Sequence, residues 1–398
     1  MKLAQRVARI KPSATLAVSA KAKALKARGV QIVNFGVGEP DFDTPQHIQE
    51  AAVTAMKKGE TRYTAVNGID ELKEAVCRVI ERDYGLSYSK PEVLISCGGK
   101  HALYNLFQAT LDPDDEVIIP SPFWVSYPDM VALADGKPVM VTCSEQNGFK
   151  LHPADLERAI TPRTRMLIMN SPSNPTGVHY SRTELAALAE VLLKHEQVLI
   201  VSDDIYNRIL FQGMEWVNLA MLDERLRKRT FIVNGVSKTY CMTGWRIGYL
   251  VGDAAVIRAA GDIQSQSTSN PTSIAQWAAV AALNGDQSGV DKMVGIFEQR
   301  CRYVMDRLAR LPGVTCPTPS GAFYVFPNIS CYFGKTNGNT TITNSLDMAD
   351  FLLEKCHAAV VPGVAFGEDR CIRFSYALSM DDLKAGFDGI ESGLASLS

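Results

Sequence analysis

The sequence predicts an α/β protein: a mostly parallel seven-stranded sheet with helices on both faces, joined to a smaller α+β domain. Three observations carry this. From about residue 90 onward, short apolar runs alternate with amphipathic stretches, as repeated strand-helix-strand units require. Beyond about residue 290 the pattern changes to a long helix, a strand, a helix and a strand in succession. Finally, 398 residues exceed one typical domain, so a second unit is expected.

The seven strands are read at 93–96 (VLIS), 116–120 (EVIIP), 138–142 (PVMVT), 165–169 (RMLIM), 198–202 (VLIVS), 231–234 (FIVN) and 247–251 (IGYLV). Six suit a parallel arrangement. The link from Asn234 to Arg246 has no helical pattern and is near the minimum for a crossover, so the last strand is expected to run antiparallel. Further on, 292–311 reads as a helix, 317–327 as a turn plus strand, 346–356 as a helix and 371–377 as a strand. The stretch 328–345 is polar and rich in Asn, Thr and Gly, which marks a mobile loop. The expected division is an arm of 1–12, a small domain of 13–44 with 298–398, and a large domain of 45–297.

Composition excludes several classes. A net charge of −2 supplies no basic field for a nucleic-acid backbone or an anionic membrane surface. No run approaches the roughly 18 apolar residues of a membrane span, and Met1–Lys11 lacks the apolar core of a secretory signal. The nine cysteines form no CxxC pair, which argues against a disulfide framework or structural zinc and for a reducing cytoplasm.

In an open α/β sheet, ligands bind beyond the carboxyl ends of the strands. There the sequence places Gly98, Gly99 and Lys100 after the first strand, Trp124 after the second, Asn174 with Pro175 and Gly177 after the fourth, Asp203 and Tyr206 after the fifth, and Ser237 and Lys238 after the sixth, with Arg246 eight residues on. Each has a plainer reading. Two glycines before a helix make a tight turn, Asp203 suits a helix cap, an isolated lysine is usually solvated, Trp124 is core, and Asn174 beside Pro175 and Gly177 is a turn. Together, an amine nucleophile, a carboxylate, a phenol, an arginine and a glycine-opened helix suit a phosphorylated aldehyde cofactor acting as an electron sink.

The motifs Asn174-Pro-Thr-Gly177, Asp203-x-x-Tyr206, Ser237-Lys238 and Met242-Thr-Gly-Trp-Arg-Ile-Gly248 resemble those of the class I, fold-type I aminotransferases, in that order and spacing. The resemblance covers essentially the whole chain, from Lys11-Pro-Ser-Ala-Thr15 through Gly36–Pro45 to Arg373-Phe-Ser-Tyr376, and is strongest toward bacterial aspartate and aspartate/prephenate enzymes. It implies that pyridoxal 5′-phosphate forms a Schiff base with Lys238, which later shuttles a proton between the substrate α-carbon and the cofactor. Asp203 would pair with the pyridine nitrogen, Tyr206 and Asn174 with the phenolic oxygen, and Trp124 with the ring face. Gly98, Gly99, Lys100 and Arg246 would receive the phosphate, with Tyr63 reaching in from a second subunit of a homodimer with shared sites. Arg373 would grip the substrate α-carboxylate, with Gly38 close by. Many relatives carry a hydroxyl residue three positions before the lysine; here it is Gly235, and a contribution from the adjacent Ser237 is left open.

For the amino acid itself, the resemblance implies that Lys11, Ser13, Thr15 and Lys100 meet a second carboxylate, against the plainer reading of a solvated first helix turn. Transfer from aspartate to 2-oxoglutarate is therefore expected, with prephenate as a further acceptor. Competing readings are a broader alanine or aromatic aminotransferase, a β-lyase using the same cofactor, and a cofactor-binding regulator. The last would need a DNA-binding segment and a basic surface. A nicotinamide enzyme is weaker still, because Gly36-x-Gly38 lacks the third glycine.

Overall fold

The computed structural model describes residues 2–10, 14–338 and 340–398. Its centre is a seven-stranded sheet: β1 Val93–Ser96, β2 Glu116–Ser121, β3 Lys137–Thr142, β4 Thr164–Asn170, β5 Leu199–Asp203, β6 Thr230–Gly235 and β7 Gly248–Val251. The spatial order is β1-β7-β6-β5-β4-β2-β3. Strand β7 runs antiparallel to both its neighbours, β1 and β6, and the remaining pairings are parallel.

Apart from the edge strand β3, whose residues are exposed or half-buried, the strands are mostly apolar because both faces are covered, and alternation decides which side chain goes where. Leu94, Val117, Ile119, Met166, Ile168, Val201, Phe231, Val233 and Leu250 pack on one side, against residues of helices Gly99–Thr110 and Ala254–Ser267. On the other, Ile118, Leu167, Met169 and Ile200 meet helix Arg182–Leu192. Val93, Ile95, Ile232, Tyr249 and Val251 meet helices Asp70–Tyr84 and Ser273–Asn284. A Ser181–Glu184 capping box opens helix Arg182–Leu192, and Gly85 in the left-handed conformation ends helix Asp70–Tyr84.

Away from this sheet, Tyr324–Val325, Ile372–Ser375 and Val361–Pro362 form a three-stranded antiparallel sheet, and Val33–Asn34 pairs in parallel with Ala358–Ala359. Helix Ser288–Leu308 runs continuously through position 297. Its Arg300 makes a two-toothed pair with Asp41, at 2.6 and 2.8 Å, tying it to the segment around Gly36–Pro45.

The stretch 328–345 is not wholly a loop. It holds a short 3-10 turn at Ser330–Tyr332 and a hairpin pairing Thr336–Asn337 with Thr340–Thr341. Asn337-Gly338 is itself a tight-turn signal, with Gly338 at φ 59°, and composition alone concealed it. Thr336 and Ser398 exchange backbone hydrogen bonds, anchoring the hairpin to the chain end.

Candidate active site

The carboxyl ends of the parallel strands and the amino end of antiparallel β7 lie on one edge of the sheet. Arg246, two residues before β7, therefore meets the turn that follows β1. Its guanidinium donates to the carbonyls of Thr243 (2.9 Å) and Cys97 (3.3 Å), and its backbone is left-handed at φ 59°. Beside it, helix Gly99–Thr110 opens with Gly98 at φ 93°. A Cβ on Gly98 would lie 2.9 Å from Cζ of Arg246, so only glycine lets the guanidinium close on the helix start. A Cβ on Gly248 would likewise lie 2.9 Å from Cα of Gly99. The result is a positive helix end faced by a cation, a ready receptor for an anion.

The same crowding explains Gly235. A Cβ there would fall 2.9 Å from the Ile247 carbonyl, leaving no space for a hydroxyl side chain. Ser237 is buried next to Lys238, and its carbonyl accepts from the Met242 N–H at 3.0 Å.

Lys238 donates to the carbonyl oxygen of Gly38. Burial is the main force on its ammonium, with Arg373 and Arg246 adding repulsion against the opposing carboxylates of Glu39 and Asp203. The balance brings it down to about 8, so near neutrality a useful fraction is the free amine. Asp203 is 6% exposed and accepts from the Tyr127 hydroxyl at 2.6 Å. Burial pushes it up to about 6, against the hydrogen bonds of Tyr127 and the Ile205 N–H and the charge of Lys238. An ionised carboxylate held there needs a cationic partner.

That strain gives a prediction about stability. The raised Asp203 contributes stability below its unfolded value, and this is lost as pH rises through about 6. Without cofactor, Asp203→Asn is therefore expected to stabilise the fold at pH 8 by up to about 3 kcal/mol, since Asn still accepts from Tyr127. Denaturant melts at pH 8 and pH 4 check this: the gain must shrink at pH 4, and a pH-independent difference would contradict it.

Arg373, 2% exposed, spans the remaining side. It donates to Oδ1 of Asn174 (2.9 Å) and to the Gly36 carbonyl (2.8 Å), with its Cζ 4.5 Å from the Tyr324 ring centroid. Asn174 is oriented by Asn170, whose Oδ1 accepts from the Asn174 N–H and whose amide donates to the Asp203 carbonyl. Tyr206 and Tyr324 share a hydroxyl hydrogen bond of 2.9 Å. Burial holds Tyr206 well above the usual phenol range, so it stays a donor. Trp124 lines a cleft together with Phe123, Tyr127, Asn170 and Asn174, with Lys100 Nζ 4.8 Å from its ring centroid. Burial, and then repulsion from Arg246, lowers the Lys100 ammonium.

The pattern for aminotransferases of class I and II matches residues 30–390. The chain is 52% identical over 397 residues to an aspartate/prephenate aminotransferase of Cereibacter sphaeroides, covering 100% of this chain and 99% of that one. It is 51% identical to an aspartate aminotransferase of Geobacillus stearothermophilus, covering 98% of each. Among solved structures, an aspartate aminotransferase from Rhizobium meliloti superposes with a TM-score of 0.97 at 44% identity over 100% of both chains. One from Thermus thermophilus, determined with maleate, gives 0.92 at 41% identity, over 99% of this chain and 100% of that one. The chain belongs to the class I and II aminotransferase family.

As an aminotransferase it acts on small amino and 2-oxo acids, and among its described residues no helix is long and apolar enough to cross a membrane. Its crevice brings together Gly38, Gly98, Lys100, Trp124, Asn174, Asp203, Tyr206, Lys238, Arg246 and Arg373, with Gly99 opening the helix after Gly98 and Ser237 buried beside Lys238. Tyr63 is not among them: it is 92% exposed. Lys11 and Ser13 lie outside the described residues, as does the side chain of Thr15, a residue of helix Ala14–Ala27. Sequence reading missed Tyr127, Tyr324, Asn170 and Glu39. The first follows Trp124 by three residues in the same turn, and the second lies in the GAFYVF strand, where an aromatic reads as core.

Proposed function

We propose that this aminotransferase transfers the amino group of L-aspartate to 2-oxoglutarate, reversibly and by a ping-pong cycle, using pyridoxal 5′-phosphate held by Lys238. The observation that carries the reading is the pairing of a buried amine poised near neutrality with a buried carboxylate, Asp203, that burial holds above the usual carboxylate range. The residues fit the group. The Gly98 cradle and Arg246 suit its phosphate, Asp203 its ring nitrogen, Tyr206 and Asn174 its phenolic oxygen, and Trp124 its ring face. When bound, the cofactor supplies an electron sink for the carbanion left when a substrate loses its α-proton.

The chain's own residues do the rest. Lys238, once its amine is free, would take the proton from the substrate α-carbon and hand it on two atoms further along, a task suited to an amine near neutrality. Asp203 keeps the ring nitrogen protonated by offering a desolvated negative charge. Arg373 receives the α-carboxylate on a guanidinium already fixed by Asn174 and Gly36. Movement of the proposed small domain, 13–44 with 298–398, would exclude water from this chemistry.

Tyr63 would complete the phosphate site of a second copy, making the working unit a homodimer with shared sites; its 92% exposure supports this. The relatives named above favour aspartate, and the Thermus structure holds maleate, a four-carbon dicarboxylate. Lys100, poised over Trp124, with Lys11, Ser13 and Thr15, would meet the second carboxylate. Prephenate is a further acceptor on the same grounds, and a reducing cytoplasm suits the nine free cysteines.

The test of substrate choice is Lys100→Ala. Losing one charge-assisted bond to the distal carboxylate is expected to lower the preference for aspartate over alanine about 10–100-fold in kcat/KM. An unchanged preference would remove Lys100 from this role.

A further inference from the structure

We propose that Glu39, anchored by the hydroxyl of Thr243, is a positioning residue that sets the proton affinity of Lys238. The inference rests on the reading of Lys238 as the reactive amine. The segment Gly36–Pro45 is strapped to the loop that carries both Lys238 and Arg246. Thr44 donates to the Cys241 carbonyl at 2.7 Å and accepts from the Trp245 indole at 3.0 Å. Thr243 donates to Oε2 of Glu39 at 2.6 Å, while its own carbonyl accepts from Arg246. Within that strap, Lys238 donates to the carbonyl of Gly38, the residue immediately before Glu39. The Asp41–Arg300 pair fixes the strap from behind. Glu39 is thus held in place one residue after the carbonyl that Lys238 bonds, unlike a freely rotating surface carboxylate.

Among the described residues, the charged groups that face Lys238 are Glu39, Asp203, Arg373 and Arg246. Burial and the two arginines disfavour the ammonium, and the two carboxylates favour it. Asp203 is committed to the other side of the crevice through Tyr127, and its charge would be absorbed by a ring nitrogen. Among the described residues, Glu39 is then the remaining anion able to steady the Lys238 proton once the amine is set free. It is solvent-exposed, so its influence is screened and should fade at high salt.

The direct test is the pH dependence of trace acetylation at Lys238 in the full-length, cofactor-free chain, quantified by mass spectrometry. Glu39→Gln is expected to lower the midpoint by about half a unit to one unit relative to the unaltered chain. Glu39→Asp should recover part of the shift, Thr243→Val should reproduce part of it, and 1 M salt should shrink the difference. A midpoint that is unchanged or raised in Glu39→Gln, or a shift insensitive to salt, overturns the proposal. Should Glu39→Gln not fold, Thr243→Val alone decides, because it leaves the carboxylate in place and removes only its anchor. In the cofactor-loaded enzyme the visible band that titrates with the Lys238 nitrogen should move the same way. A shifted labelling midpoint without any such band would retain this inference and refute the cofactor reading, and a titrating band with no shift would do the reverse.

Discussion

Lys238→Ala is expected to lower amino-group transfer by about 10⁴-fold or more, because it removes the covalent anchor and the proton carrier together. Its ammonium is the one brought down to about 8 by burial, flanked by Arg373 and Arg246 and hydrogen-bonded to Gly38. Lys100 sits over Trp124, its Nζ 4.8 Å from the ring centroid, and is not placed to substitute. Alanine is expected to leave the fold intact, since the hydrogen bond it removes is to the carbonyl of half-buried Gly38, which water can satisfy. Single-turnover assays and the absorption of the cofactor-saturated protein check this together. A variant retaining activity within tenfold would mean that another residue carries the proton.

Arg373→Lys is expected to raise KM for aspartate about 100-fold, equivalent to ~3 kcal/mol, with a smaller fall in kcat. The guanidinium is already bound on both Nη atoms, to Asn174 and to Gly36, while its Nε is buried with no partner among the described residues. A carboxylate arriving at that fork completes a planar, two-point contact that an ammonium cannot reproduce. Lysine would also leave either the Asn174 oxygen or the Gly36 carbonyl without its donor in a buried setting. Steady-state kinetics with aspartate and alanine separate the roles: a loss common to both points to the α-carboxylate, and a loss confined to aspartate points to the distal one.

The sheet was legible because its inner strands are covered on both faces and so are mostly apolar, while the exposed edge strand β3 still carries the apolar step Val139-Met140-Val141. Even the reversed strand β7 could be read, since 234–246 is too short and irregular for a crossover. That one deduction places Arg246 opposite the Gly98 turn, and with it the anion site. The family resemblance supplied roles for the residues around it. What stayed hidden depends on pairings between distant segments. Tyr127 meets Asp203 across 76 positions, Tyr324 meets Tyr206 across 118, and Thr243 meets Glu39 across 204. A tyrosine that will bond a catalytic carboxylate looks the same in sequence as one filling a core. The hairpin at 336–341 was missed for a local reason: its polar composition outweighed the Asn337-Gly338 turn signal. Gly235 was recognised as a departure, but its cause, the Ile247 carbonyl 2.9 Å from any added Cβ, exists only in the assembled sheet.

The most direct measurement is the absorption spectrum of the purified, cofactor-loaded protein on addition of aspartate alone, followed by 2-oxoglutarate. The account predicts that aspartate converts the pyridoxal band to that of the pyridoxamine form, and that the keto acid restores it. Aspartate leaving the band unmoved would contradict the assignment of substrate, and saturated protein with no band at all would contradict the central role given to Lys238.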